Sequence, residues 1–374
     1  MSKTIVGLND PKAVKKYSAA LAVDIGRTSY FNKKMMGYGA DASAPVHMLT
    51  DLESDAGEQI VYDLNMQLAM QPVEGDNTLE GLEEDLKFYT DNVYVDQMRG
   101  GVNGGGRMTR KRTLHDIRQI SKKRQADWWA RVFDELFFMY LSGARGVNTD
   151  YVFATTYTGF ANNPLTSPDT NHLKQYNAAG APTAANAMVA ADKLNLTVID
   201  RLLATAYMMG GGTTQIPQIQ PIKIDGEDHF VYLMNPWMEF DLRTNSSAGQ
   251  WLDIQKAAAA AEGRKNPIFN GALGMYNNVV LQSHKALIQF NNYGAGANVS
   301  AVRGLFLGSQ AAVCAFGSPG TGLRFDWHEE TRDNGNEIVI STNTIFGIKK
   351  CTFTTANGQN DFGVIANDVA AVAP

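Results

Sequence analysis

The chain has 374 residues, 44% hydrophobic and 19% charged, with 33 Lys and Arg against 38 Asp and Glu for a formal net charge of -5. That length supports two or three compact units of roughly 100–200 residues each. The mild acidity excludes a polycation that coats nucleic acid, so any such contact must be local. With only Cys314 and Cys351 and no CxxC, neither a disulfide framework nor a cysteine zinc site is expected, and both thiols are read as buried and inert in a reducing compartment. The first ten residues lack an apolar targeting core, and no run approaches 18 apolar residues, so a cytoplasmic protein without a membrane partner is expected.

Asn9-Asp10-Pro11 reads as a helix start, with Val14, Tyr17, Leu21 and Ile25 on one face, followed by glycine-rich coil. This segment is read as an arm rather than a domain. From Glu58 the pattern changes to alternation, and Ile60, Tyr62, Leu64, Met66, Leu68 and Met70 fall on one face of a long strand. A turn-rich tip follows with Glu74, Asp76, Glu80, Glu83, Glu84 and Asp85. A returning strand carries Leu86, Phe88, Val93 and Val95, with a register change near Thr90. Arms reaching about 40 Å are implied at roughly 3.3 Å per residue. A two-stranded hairpin is marginal alone in water, so its apolar face is expected to rest on another subunit.

Gly100, Gly101, Gly104, Gly105 and Gly106 then read as a hinge. Gly101 and Gly106 also have the G-x-x-x-x-G spacing of a phosphate loop, but Arg107 and Met108 stand where the chemistry needs Lys and then Ser or Thr. From Arg107 to Leu141 no Gly or Pro intervenes, and one helix of roughly 50 Å is expected, with Thr109 or Thr113 as cap. Its core stripe is read as Leu114, Ile117, Ile120, Arg124, Trp128, Val132 and Leu136. Arg107, Arg110, Lys111 and Arg112 crowd its start, where solvation, carboxylates or phosphate could satisfy them. We expect this basic end and the acidic tip to meet between subunits.

Residues 147–193 are loop-rich, and a helix over 196–209 ends at Gly210–Gly212. Two strands around Asp225-Gly226, helices in "PWMEFDLRTN" and "AGQWLDIQKAAAAAE", and strand-like "GMYNNVVLQSHK" and "AVRGLFLGSQAAVCAFG" predict a mixed α/β unit over about 195–330. The last strands are expected to return onto the long helix, with a frayed tail after Asp368. The six histidines are scattered. His328 beside Glu329 and Glu330 comes nearest to an acid–base or metal cluster, but no catalytic, cofactor or metal constellation emerges.

This order of parts resembles the HK97-fold major capsid protein of tailed bacteriophages, and the wording is closer still to capsid proteins of podophages similar to coliphage N-four. The resemblance is carried by "LNDPKAVKKYSAALAVD", "LTDLESDAGEQIVYDL", "GDNTLEGLEEDLKFYTDNVYVDQMRGGV", "GGRMTRKRTLHDIR", "DELFFMYLSGARG", "YLMNPWMEFDLRTN" and "GALGMYNNVVLQSHK". It implies an α+β fold with an N-terminal arm (1–45), an extended hairpin loop (46–104), a peripheral domain on a long spine helix (105–194), an inserted axial α/β domain (195–330) and a return to the peripheral domain with the tail (331–374). It implies a non-enzymatic shell protein of hexamers and pentamers, closing as an icosahedral virion head around double-stranded DNA without sequence specificity, assembled in the bacterial host cytoplasm. A portal, a separate scaffold and a decoration protein are the implied partners. No Lys–Asn pair for cross-linking is identified. The alternative on the same fold is an encapsulin-like compartment holding enzyme cargo.

Overall fold

The computed structural model describes residues 11–38, 43–53, 56–65, 68, 70–112, 116–209, 219–224, 226–246, 248–262, 267–269, 271–318, 324–355 and 358–371. Thr113, Leu114, His115, Met66, Gly210–Gly212, Asp225 and the Asn9-Asp10 helix start lie outside them, as do the side chains of Val14 and Tyr17.

The chain begins with α1 (Pro11–Thr28), whose Leu21 and Ile25 are fully buried, and α2 (Tyr30–Lys34), capped by Ser29. The expected coil after α1 is thus a second helix, and two parallel-paired strands follow, β1 (Met36–Tyr38) and β2 (Val46–Leu49). A hairpin of β3 (Gln59–Asn65) and β4 (Phe88–Tyr94) comes next. It is shorter than expected, seven residues a side, because Pro72, Gly75 and Gly81 interrupt the segment that would pair beyond Asn65. Leu68 and Met70 are therefore exposed rather than on a sheet face. The β3–β4 register runs unbroken through Thr90, so Tyr89, Asp91 and Val93 face with Leu64, Tyr62 and Ile60, and the expected shift at Thr90 is absent.

β5 (Asp96–Asn103) leads into two helices where the sequence suggested one: α3 (Arg107–Arg112) and α4 (Ile117–Ser142). Asp116 caps α4, accepting from the backbone N–H groups of Arg118 (3.0 Å) and Gln119 (3.4 Å). The buried stripe of α4 runs through Ser121, Gln125, Trp129, Val132, Phe133 and Leu136, about one residue later than expected, and Ile120 and Arg124 face solvent. From Trp129 onward α4 is buried nearly all round, because it packs against α1, against β17 (Glu337–Lys350) and against β14 (Val299–Leu307). Gly143 ends it in the left-handed region. A Cβ there would stand 2.0 Å from Thr166 O, which only glycine avoids.

The loop-rich stretch after α4 contains three short strands, β6 (Gly159–Phe160), β7 (Asn163–Pro164) and β8 (Leu173–Gln175), before α5 (Leu196–Met208). Then come β9 (Ile222–Ile224), β10 (Glu227–Met234), α6 (Pro236–Asn245), α7 (Ala248–Glu262), β11 (Gly274–Tyr276), β12 (Val279–Ser283) and β13 (Gln289–Tyr293). β14, β15 (Ala312–Gly317), β16 (Phe325–Arg332), β17, β18 (Thr352–Thr355), β19 (Gly358–Asp361) and β20 (Val364–Ala370) complete the chain.

Two sheets organise these elements. One has the order β1-β2-β15-β17-β16, with β5 on the other edge of β17; the second has the order β11-β12-β10-β14-β20-β8, with β13 on β14 and β9 on β10. The stretch read as one strand-like run, 301–317, is therefore two strands in two sheets. The tail is not frayed through Ala370: β20 lies between β14 and β8, with Asp368, Val369 and Ala370 buried.

Candidate interaction surfaces

Residues 70–87 form no helix or strand, and from Met70 to Phe88 only Val73 and Glu84 are less than exposed. Glu74, Asp76, Glu80 and Glu83 are in solvent. Glu83 accepts from Gly81 N at 2.7 Å, and Glu84 from Met70 N at 2.8 Å, so both carboxylates brace the loop. The same loop leaves Leu79, Leu82, Leu86 and Phe88 more than half exposed. Large apolar side chains so concentrated on one loop mark a contact surface rather than ordinary surface scatter. Sequence reading named the carboxylates, placed Leu86 on the returning strand, which starts only at Phe88, and passed over Leu79 and Leu82, although their spacing inside an acidic run was visible.

The base of this hairpin is fixed. Asp91 on β4 pairs with Lys349 Nζ and accepts from Tyr62 OH at 2.6 Å, and Lys349 also donates to Asn92 O at 2.9 Å. Asn163 exchanges two bonds with the Tyr94 backbone, 3.0 and 2.8 Å, and a Cβ at Gly347 would stand 1.9 Å from Tyr94 O. Burial and the Asp91 carboxylate hold the Tyr62 hydroxyl well above the usual tyrosine range. A rigid root thus carries an unsupported tip.

Of the five hinge glycines, Gly100 and Gly101 sit within β5, opposite Thr342 and Ser341, and Gly104 N–H bonds Ile338 O at 2.7 Å. A Cβ on Gly100 would lie 2.5 Å from the Trp128 ring, so this glycine admits the indole. Gly105 takes φ +69° and Gly106 touches Asn336, at the turn into α3. Arg107 and Arg110 are partly spent within the chain: Arg107 Nε donates to Gly335 O (3.3 Å) and an Arg110 nitrogen to Asn336 O (2.8 Å). Lys111 and Arg112 are exposed, beside an exposed Met108. In this chain the acidic tip and the basic helix make no hydrogen bond or ion pair among the contacts described.

A cleft of about 620 Å³ lies between α4, the loop at 148–151 and residues 284–289. Asp134 lines it and accepts from Ser29 Oγ (2.8 Å), Tyr30 N (3.0 Å) and Phe31 N (3.2 Å), tying α2 to α4. Burial pushes its pKa up to about 6 despite those donors, with Glu135 adding a smaller push. His284, stacked on Phe138, is lowered to about 4 by burial, with Lys285 and Lys34 assisting.

The described histidines do not assemble a chemical site. His328 and Glu329 point to opposite faces of β16, Glu329 buried against Arg118 (2.7 Å) and Trp327 Nε1 (3.0 Å). His172 Nδ1 bonds Asp169 at 2.9 Å with its ring buried. Among the described residues no group of three His, Cys, Asp or Glu could hold a metal ion, and no helix is long and apolar enough to cross a membrane. Cys314 and Cys351 are free and buried, as read from the sequence.

Two sheets clamping a long helix, with a rooted hairpin and an exposed tip, make an α+β fold that phage capsid proteins share. The capsid of Ralstonia phage GP4 is similar to this chain with a TM-score of 0.84 and 47% identity, over 100% of this chain and 99% of that one. The cyanophage Pam1 capsid asymmetric unit shares the fold at TM-score 0.70 and 20% identity, over 93% of each chain. The major capsid protein of Pseudomonas phage KPP25 is 27% identical over 361 residues, 90% of each chain. Residues 5–373 match the phage capsid protein family, and the chain belongs to it. It is a structural, non-catalytic major capsid protein of icosahedral phage heads, a component of the virion that associates with itself.

Proposed function

We propose that the chain closes as hexamers and pentamers around double-stranded DNA, in a head of the podophage type similar to coliphage N-four. The observation that carries this reading is the segment 70–88, rooted on the Asp91–Lys349 ion pair yet exposing Leu79, Leu82, Leu86 and Phe88. A surface of that kind is satisfied by overlap with a neighbour. On this reading residues 1–45 are the arm, 46–104 the extended loop, 105–194 and 331–374 the peripheral domain, and 195–330 the axial domain. β15, β16 and β17 share a sheet with β1, β2 and β5, while β20 lies in the other sheet between β14 and β8. A separate scaffold, a portal and a decoration protein complete the assembly. A chain of net charge -5 fits DNA that is confined without being tightly bound.

Sedimentation with electron microscopy of the expressed chain, with and without co-expressed phage scaffold, tests the reading. Closed shells tens of nanometres across are expected, and monomers under both conditions would refute it. The tip carboxylates and the cations of α3 are assigned to contacts between copies. Glu83→Gln with Glu84→Gln is expected to weaken assembly and flatten its salt dependence, and an unchanged salt dependence would remove that assignment.

A further inference from the structure

The tip has a sequence pattern that its conformation does not use. Residues 77–87 read Asn-Thr-Leu-Glu-Gly-Leu-Glu-Glu-Asp-Leu-Lys. On an α-helix Leu79, Leu82 and Leu86, spaced i, i+3 and i+7, would share an arc of about 60° at 3.6 residues per turn. Asn77 or Thr78 would stand at the N-cap with Glu80 in the first turn, and Glu83 precedes Lys87 by four residues, the favourable order for an ion pair. Instead the segment bends: Leu82 N–H bonds Leu79 O at 3.0 Å, Gly81 takes φ +85°, and Glu83 accepts from Gly81 N. The physical reason is length. A ten-residue helix with nothing under its apolar face is marginal in water, and an internal glycine lowers it further.

We propose that residues 78–87 fold into a short amphipathic helix when they dock on a second copy of this chain, leucines inward, over the surface of α3. This deepens the shell reading above and rests on it. The partner surface is named by complementarity. The tip offers Glu80, Glu83, Glu84 and Asp85 around three leucines, and α3 offers Arg107, Arg110, Lys111 and Arg112 around Met108, itself 59% exposed. The tip's own chain is not the occupant, since the leucines are 51%, 59% and 63% exposed with that chain fully folded. Gly81 then has a purpose: it admits the left-handed turn that keeps the tip unfolded and soluble until a neighbour arrives.

Gly81 also supplies the test, because no atom lies within 4 Å of a Cβ built there. Gly81→Ala changes backbone preference without a clash, disfavouring the bend and favouring helix. The expected result is a critical concentration for shell assembly lowered by ~5-fold, the scale of one glycine-to-alanine step in a helix. Backbone amides of residues 82–87 are expected to exchange at least ~100-fold more slowly in shells than in the unassembled chain, as hydrogen-bonded helix amides do. Lys111→Glu with Arg112→Glu should weaken assembly, and adding Glu83→Lys with Glu84→Lys should restore it. A critical concentration that rises or stays fixed on Gly81→Ala, or unprotected amides in shells, overturns the helix. Protection without rescue by the charge swap overturns α3 of a second copy as the partner and leaves a scaffold or decoration protein as occupant. No shells from the unaltered chain with scaffold overturns the shell reading together with this one.

Discussion

Arg303 and Asp368 form one of the two most deeply buried ion pairs described, with Lys350–Asp361, and breaking it is a direct test of what holds the second sheet to α4. Arg303 Nε and a second guanidinium nitrogen reach the two Asp368 oxygens at 2.7 and 2.9 Å, with side chains only 7% and 0% exposed. The remaining guanidinium nitrogen donates to Ser142 O at 2.7 Å, the last turn of α4. Asp368 also accepts from Tyr293 OH (2.6 Å) and Gln175 Nε2 (3.1 Å). One carboxylate therefore joins β8, β13, β14 and β20, and through Arg303 the end of α4. Burial by itself lowers the Arg303 pKa, but Asp368 together with Tyr293 holds it above its ordinary value, while burial and the Asp368 charge hold Tyr293 up.

Asp368→Ala strands a buried guanidinium, for which removal of one partner costs about 3–5 kcal/mol. The Tyr293 hydroxyl loses its acceptor as well, at about 1 kcal/mol. A loss of about 4–6 kcal/mol is a large share of an ordinary 5–15 kcal/mol stability. Arg303→Met with Asp368→Leu removes both charges at similar volume and should recover most of that loss. Urea unfolding of unassembled subunits, followed by tryptophan fluorescence, measures both. A cost under about 1 kcal/mol for Asp368→Ala, or a double variant as unstable as the single one, would show that packing rather than charge pairing holds this joint.

The cleft beside α4 gives a pH prediction with two opposing terms. Asp134 keeps its proton up to about pH 6 when folded, against 3.8 when unfolded, so it lowers stability as pH rises from about 4 to 6; His284, lowered from 6.5 to about 4, raises stability over nearly the same window. The two slopes offset, so Asp134→Asn should make stability rise with pH between 4 and 6.5 relative to the parent, and His284→Gln should make it fall. Equal pH profiles for both variants and the parent would refute this assignment. Gly347→Ala should loosen the hairpin root by forcing Tyr94 O away, seen as faster hydrogen exchange at residues 89–94 with β20 unaffected. Burial pushes the Cys314 thiol up to about 12 and Cys351 further, so a thiol reagent at pH 8 should modify neither until the chain is denatured.

Much of the fold was legible where local chemistry decides it. Asn235-Pro236 marks the start of α6, with the Asn235 side chain accepting from Trp237 N at 2.6 Å and proline in the first turn. The run 274–285, read as strand-like, is instead a hairpin, with Asn277 and Asn278 both at positive φ between β11 and β12, a turn signal the sequence reading did not use. Asp116 followed by Gln119 is a helix-start signal that was present in the sequence and outweighed by the uninterrupted run around it. What stayed hidden depends on distant partners. Residues 364–370 look like a weak, small-residue tail because Asn367 and Asp368 break the apolar pattern, yet both are buried, Asp368 on Arg303 and Asn367 on Tyr232 OH at 3.0 Å. Nothing local to either segment announces a pairing 65 residues apart.

The same distinction separates the body from the interaction surface. Within the body, polar groups that single-residue patterns misjudge are satisfied by long-range bonds: Gln125 to Ile340 O at 3.0 Å, Trp129 to Thr342 at 2.7 Å, and Lys350 to Thr166 O at 3.1 Å. At the tip, the leucines that any core count would bury are more than half exposed among the described residues. Fully burying a leucine gives about 1.5–3 kcal/mol, and with these three a little over half exposed they together withhold about 2.5–5 kcal/mol, a substantial share of an ordinary domain's stability. A free-standing protein gains nothing from that arrangement. For a subunit it places the withheld free energy in the contact between copies, so the chain can fold first and assemble afterwards. Shortening the tip by deleting residues 75–86 should therefore leave the urea midpoint of the unassembled subunit unchanged while abolishing shell formation. A subunit that lost stability with its tip would mean that the loop belongs to the fold and not to the assembly.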